Sequence, residues 1–234
     1  MNRYDRNDAT SYCLGMSLTI EALKHRSEFV REVILSEKAL KNEQFSYLLK
    51  LCEDSSVKTV YDDRTIEKLS VKENCYAIGV FDKYYSPLQS DNHIVLYGFD
   101  DFGELGTVLR SAVSFDFKDI VLINCDLDYY DPRCIRASMG SFFHTNIASY
   151  DDMDEYLKKY DRQNIYPFVS DSSKEFSDIS LKEPYSLMIS QDYHGLDDVF
   201  KEGYTLKHKN GKEISLSVRS SIIFSIIYHL NLRR

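Results

Sequence analysis

The strongest apolar pattern in the chain lies at residues 215–230 (SLSVRSSIIFSIIYHL), where Ile222, Ile223, Phe224, Ile226, Ile227, Tyr228 and Leu230 surround a predicted helix and leave it no polar face. Such a helix is expected to be covered by its own domain or by a second subunit. Its start carries Ser215, Ser217, Ser220 and Ser221. Free N–H groups and the positive end of the helix dipole make that position suitable for a simple cap or for a polar ligand.

The rest of the chain alternates helical and extended periodicities. Residues 18–25 read as a helix burying Ile20, Ala22 and Leu23, and the β-branched run VREVIL at 30–35 reads as a strand. Ser36 is placed to cap a helix running through Leu51. A strand at 57–60, a helix at 64–69 and a buried strand at 75–81 (CYAIGVF) complete a small α/β unit, assigned to residues 1–82. The pattern then stops. Residues 83–92, with Tyr84, Tyr85, Ser86, Pro87 and Ser90, read as a linker.

Alternation resumes over residues 93–234: strands at 94–96, 120–123, 165–169 and 185–189, with helices at 105–114, from Pro132, and at 153–159. Repeated β–α units imply an α/β domain with a mainly parallel sheet covered on both faces. Ligands of such sheets bind at the carboxyl ends of the strands. The loops after Leu96, Ile123, Val169 and Ile189 are therefore where a site is expected.

Composition narrows the class. Among 234 residues, 43% are hydrophobic and 28% charged, which fits a folded globular chain and not a disordered one. The opening residues MNRYDRNDATSYC carry no apolar run, so no signal peptide is expected, and the apolar run at 222–230 is too short to span a bilayer. Cysteines 13, 52, 75, 125 and 134 are odd in number and contain no close pair, which argues against a disulfide framework and a zinc site and for a cytoplasmic protein with free thiols. A net charge of −8 means that any RNA partner would have to meet local basic patches on an acidic body.

Four segments occur in an informative order. VLYGFDDFGELGTVLRSA (95–112) resembles the first motif of the SpoU/TrmH RNA 2′-O-ribose methyltransferases, whose usual form reads like LDGVQDPGNLGAILRTA. DYYDPRCIRASMGSFFH (128–144) is similar to the stretch that follows it and ends in a Ser-x-Gly turn. SLMISQDYHGL (186–196) stands where the second motif, LVLGSEGKGL, would be, and ISLSVRSS (214–221) where the third, SLNVSVA, would be. Upstream, residues 17–40 and CYAIGVF are similar to the small α/β RNA-binding domain of ribosomal-protein type that precedes the catalytic domain in many members.

This resemblance implies a C-terminal SPOUT domain with a deep trefoil knot, binding S-adenosylmethionine within the knot and forming a homodimer through the same region. A dimer would explain the all-round apolar helix. It also implies a tRNA or rRNA substrate and no membrane. The implied cofactor-binding residues are Val169, Ile189, Ser190, Gln191, Asp192, Gly195, Leu196, Leu206 and Leu216; the implied catalytic positions are Arg110, Glu104 and Ser217. In the family an arginine of the first motif is central to activating the ribose hydroxyl, and Arg110 matches it. With a pKa above ~12 a guanidinium is a poor base, so an orienting or electrostatic role is physically easier.

The chain departs from the family pattern at Glu104 and Ser217, both usually asparagine, and in the second motif, where Ser190 and Tyr193 replace glycines. Glycine permits close backbone approach and positive φ, so Tyr193 would reshape or close a cofactor loop. Two readings follow: a cofactor-dependent methyltransferase, or a degenerate paralogue that keeps fold and dimer as an RNA-binding or interaction module. A third, an enzyme for another nucleophile, would use Glu104 as base with its pKa raised by burial. Asp126, Asp128 and Asp131 lack the glycine and terminal glutamate of an EF-hand and read as a solvated loop. His144 and His194 have no ligand-spaced partners in the chain, and no metal is expected. Lys207, His208, Lys209 and Lys212 form a local basic hairpin that could meet phosphate, against the simpler reading of a solvated turn around Asn210 and Gly211.

Overall fold

A computed structural model of the chain describes residues 3–70, 74–169, 174–190, 200, 203–205 and 215–231. The chain forms two compact units, Met1–Tyr85 with Asp128–His144, and Ser86–Leu127 with Thr145–Arg234. Residues 128–144, which the sequence pattern attaches to the second domain, are thus built into the first unit.

The first unit is a four-stranded mixed sheet in the order β1-β4-β2-β3. Its strands are β1 (Thr10–Leu14), β2 (Val30–Leu35), β3 (Lys58–Tyr61) and β4 (Ala77–Asp82). Helices α1 (Met16–Arg26), α2 (Phe45–Asp54) and α3 (Asp63–Leu69) connect them. β4 runs antiparallel to β1 and β2, and β3 parallel to β2. Gly79 on β4 has to be glycine, because a Cβ there would stand 2.4 Å from Cys13 Sγ. Ser36 caps only a short 3-10 turn, Glu37–Lys41, by accepting from Lys38 N at 3.1 Å. The single helix expected from Ser36 to Leu51 is therefore two elements.

The inserted segment contributes α5 (Pro132–Ala137) and a 3-10 turn, Ser141–His144. It is not the solvated loop its aspartates suggest. Asp128 accepts from the Tyr4 hydroxyl, from Lys83 Nζ at 3.1 Å and from Tyr130 N at 3.0 Å. Asp131 is buried, caps α5 through Arg133 N and holds the Arg133 guanidinium. Tyr4 and Lys83 lie at least 45 positions away in sequence, which is why local polarity misreads the segment.

The second unit is a seven-stranded sheet in the order β7-β6-β5-β10-β8-β11-β9, in which every described pairing is parallel. The central strands β5 (His93–Tyr97), β6 (Asp119–Ile123) and β10 (Tyr185–Ser190) are buried at every position, as a sheet covered on both faces requires. β7 (Asn146–Tyr150), β8 (Asn164–Phe168), β9 (Lys174–Glu175) and β11 (Tyr204–Thr205) complete it. Val95, Tyr97, Val121, Ile123 and Met188 pack on one face with Met153 and Tyr156 of α6 (Met153–Lys159). The alternate positions Ile94, Leu96, Ile120 and Leu122 point to the other face. Helices α4 (Phe102–Ser114) and α7 (Leu216–Asn231) pack on each other, with ring contacts between Phe115 and Tyr228 and between Phe117 and Phe224.

Candidate functional site

The carboxyl ends of β5, β6, β8 and β10 lie side by side, because the parallel registers pair Tyr97 with Ile123 and with Ser190, and Ile189 with Phe168. Four loops leave this edge, and the local chemistry ties them together. Ser190 is buried and its hydroxyl donates to Tyr97 O at 3.2 Å. Gly98 N, with φ of 69°, donates to Ile123 O at 3.0 Å. Cys125 Sγ accepts from Phe99 N at 3.3 Å, and Asn124, with φ of 53°, donates through its backbone to Tyr150 O. Asn124 and Cys125 were not singled out from sequence; the only sign was a polar pair ending an apolar strand.

On the β8 side, Val169 is buried and its N–H donates to Tyr204 O at 3.0 Å. Here Gly203 permits a close backbone approach, since a Cβ would stand 2.3 Å from Pro167 O. This edge therefore offers backbone polar groups and buried apolar side chains at Val169 and Ile189, while Leu216, also buried, opens α7.

The catalytic positions suggested by sequence sit on α4 and α7. Asp101 caps α4 by accepting from Glu104 N at 2.7 Å, a D-x-x-E pattern that is readable in the sequence. Glu104 is half-buried in the first turn. Burial, reinforced by Asp101 and Asp100, raises its pKa above the ordinary carboxylate value. Arg110 lies six residues further on, about 120° around the helix, on the exposed face with Gly103 and Thr107. Among the described residues its side chain makes no ion pair. Ser217 is in the first turn of α7, its hydroxyl 3.3 Å from that of Ser215 and its carbonyl accepting from Ser221 Oγ at 2.8 Å.

The structure thus brings Ile189, Ser190 and Val169 to one sheet edge and joins the helices that carry Arg110 and Ser217 through Ser111 and Ser221. It places no hydrogen bond or ion pair among Arg110, Glu104 and Ser217 themselves. Gln191, Asp192, Gly195, Leu196 and Leu206 lie outside the described residues, as do Tyr193, His194 and the basic stretch at 207–212.

A parallel sheet with loops gathered at the carboxyl edge of its central strands, and a capped helix directly after β5, defines an α/β protein of the class whose ligands bind at that edge. Residues 91–207 match the SpoU rRNA Methylase family, and the chain belongs to it. Over 147 residues, 58% of this chain, it is 23% identical to 23S rRNA (guanosine(2553)-2′-O)-methyltransferase RlmP of Bacillus subtilis. That match spans 56% of RlmP, so the chain covers little more than half the length of this curated relative. Among solved structures it is similar to the SpoU methyltransferase AviRb of Streptomyces viridochromogenes, with a TM-score of 0.78 at 14% identity over 96% of this chain and 91% of that one. AviRb in complex with the cofactor AdoMet gives a TM-score of 0.79 at 13% identity, covering 97% and 92% of the two chains. An rRNA methyltransferase of Sinorhizobium meliloti gives 0.73 at 19% identity over 92% and 85%. At these identities the structural likenesses establish the fold.

Proposed function

We propose that this protein is an S-adenosylmethionine-dependent RNA 2′-O-ribose methyltransferase acting on tRNA or rRNA. The observation that carries the reading is the family match over 91–207, which includes both α4 with Arg110 and the strand edge ending in Ser190. The residues present suit the cofactor in kind: buried apolar side chains at Val169, Ile189 and Leu216 for an adenine ring, and backbone groups at the ends of β5, β8 and β10 for its polar edges. When bound, it supplies a methyl group on a sulfonium, an electrophile needing no acid catalysis.

The protein's task is then to hold a ribose hydroxyl in line and draw off its proton. Arg110, exposed and bearing five donors in a fixed fork, orients the hydroxyl or the adjoining phosphate and stabilises developing negative charge. Glu104, whose carboxyl pKa burial, with Asp101 and Asp100, raises above the ordinary value, is the carboxyl group on α4 that, when ionised, can accept that proton. Ser217 contributes a hydroxyl at the start of α7. Gln191, Asp192, Gly195, Leu196 and Leu206 complete the cofactor site, in a C-terminal SPOUT domain at 93–234 whose chain threads a trefoil knot.

The first unit, residues 1–85 with the inserted 128–144, acts as the RNA-binding domain of ribosomal-protein type that the sequence pattern places at 1–82, ahead of a linker at 83–92. A cavity of about 740 Å³ in it is lined by Arg3, Lys68 and Arg136 with Tyr4 and Tyr12, cations and rings suited to phosphates and unstacked bases. Glu67 and Asp131 also line it, so the patch is mixed in charge. On α7, Val218, Ile222, Ile226 and Leu230 form an exposed apolar stripe at intervals of four residues, which supports a homodimer through the C-terminal region. Among the described residues no helix is long and apolar enough to cross a membrane.

Calorimetric titration with S-adenosylmethionine, followed by methyl transfer to tRNA and rRNA with the product read as an alkali-resistant phosphodiester, tests the reading. Saturable binding and 2′-O-methyl product are expected. A folded protein that binds RNA but neither the cofactor nor transfers methyl is instead the degenerate module. Light scattering of the purified chain reports the dimer.

A further inference from the structure

We propose that Glu21, His25 and His144 form a site for one divalent transition-metal ion of the zinc type, pinning the inserted segment to α1. Glu21 and His25 are one turn apart on α1, and the 3-10 turn Ser141–His144 brings the third group from the far side of the sequence. All three belong to the first unit. Their ligand atoms lie within 4.8 Å of one another. His144 Nε2 is 2.8 Å from Glu21 Oε2, and His25 Nε2 is 3.5 Å from the same oxygen. Around tetrahedral zinc, bonds of about 2.0–2.1 Å set neighbouring ligand atoms roughly 3.3 Å apart. An opening of about half an ångström between His144 and Glu21, with the two histidine nitrogens, within 4.8 Å of each other, adjusting to the same spacing, meets that requirement.

Two observations distinguish this cluster from an ordinary surface ion pair. His25 Nε2 is buried and has no hydrogen-bond partner, although it points toward the carboxylate. A buried orphan nitrogen is costly in a protein and suited to a metal. Gly140, with φ of +89°, also fits the segment over Glu21, where a Cβ would stand 2.9 Å from Glu21 Cγ. The segment therefore closes onto the carboxylate only with glycine there.

The charges are compatible. Lys24 donates to Oε1 at 3.1 Å, leaving Oε2 to the two histidines and orienting the carboxylate from outside. The imidazoles contact each other, with ring centroids 3.8 Å apart, so two imidazolium ions would repel. Nitrogen donors exclude calcium and magnesium as the natural occupant and select zinc or its neighbours. The three side chains are a quarter to a third exposed, which leaves the fourth position to water.

The test is titration of the tag-free, chelator-stripped full chain with Zn²⁺ and Co²⁺. Expected are one equivalent per chain, visible d–d bands of tetrahedral Co²⁺ with nitrogen and oxygen donors, and a zinc-dependent rise in melting temperature. His25→Gln and His144→Gln should each weaken binding by about 100-fold or more. If those variants do not fold, the wild-type imidazole NMR signals decide, since zinc must shift those of His25 and His144. No binding, binding that leaves these signals unmoved, binding that survives the double substitution, or a thiolate charge-transfer band would each overturn the proposal.

Discussion

Ser111 Oγ of α4 and Ser221 Oγ of α7 are 2.7 Å apart. Each hydroxyl also lies within reach of a carbonyl of its own helix, Thr107 O at 3.1 Å and Ser217 O at 2.8 Å. Two hydroxyl hydrogens serve three contacts, so one serine donates across the helix pair while the other donates along its own helix. Ser111 adjoins Arg110, and the carbonyl that Ser221 meets is that of Ser217. The pair therefore links the two helices that carry the proposed catalytic residues Arg110 and Ser217.

Replacing either serine by alanine should cost about 1 kcal/mol, the worth of one partly buried hydrogen bond. The double variant should cost less than the sum, because the second removal leaves no orphaned partner. Denaturant unfolding of the four proteins in the cycle measures this coupling, and strict additivity would mean that the contact is energetically idle.

Tyr156 joins two other buried groups. Its hydroxyl lies 2.8 Å from His93 Nδ1 and 2.7 Å from Ser186 Oγ, while His93 Nε2 meets Ser90 O at 3.0 Å. Tyr156→Phe should cost about 1–3 kcal/mol by leaving polar atoms unpaired in the core. Burial lowers the His93 pKa, so below the unfolded value of about 6.5 the unfolded chain binds a proton that the folded chain resists. The stability this contributes is present above pH ~6.5 and is lost as pH falls through the folded pKa. Thermal melts from pH 8 to pH 5 should show that fall, and His93→Gln should flatten it.

Elements with strong periodicity were legible in the sequence: β2 and α6 coincide with the expected spans, and β8, β10 and α4 differ by a few residues. β1 and β7 were not legible because buried polar residues interrupt their apolar pattern. Ser11 is satisfied by Tyr130 O and Asn146 by Asp119, partners 119 and 27 positions away. The helix expected from Ser36 is broken where Asn42 turns the chain, accepting from Gln44 N through its side chain at 2.9 Å. The order of the motifs pointed to the right family. The contacts of the inserted segment, and the pairing of His144 with α1, depend on tertiary proximity that linear spacing does not encode.

Glu104 pays for its place in the first turn of α4. Its raised pKa means that the folded state holds the proton more tightly than the unfolded chain, so stability falls as pH rises from about 4.3 through the folded value. Glu104→Gln should therefore leave stability unchanged in acid and raise it near neutrality, within the ~0.5 kcal/mol usual for a part-exposed site. Should Glu104 serve as the base, the same substitution abolishes methyl transfer; where it acts only as a nearby charge, transfer persists and RNA binds more tightly. Melting curves at pH 4 and pH 7.5, with an RNA-binding isotherm, separate these outcomes.

Arg110 carries the sharpest expectation for catalysis. It is exposed on α4 and makes no ion pair among the described residues, so Arg110→Ala should change stability by no more than ~0.5 kcal/mol. Methyl transfer, by contrast, should fall by about 10²–10³, the usual consequence of removing one preorganised donor from a developing oxyanion. Arg110→Lys keeps the charge but not the planar fork, so it should recover only part of that loss if orientation matters and most of it if charge alone does. Single-turnover rates at saturating RNA isolate the effect from binding. Equal rates for wild type and Arg110→Ala would remove Arg110 from the mechanism and leave Glu104 and Ser217 as the groups to examine.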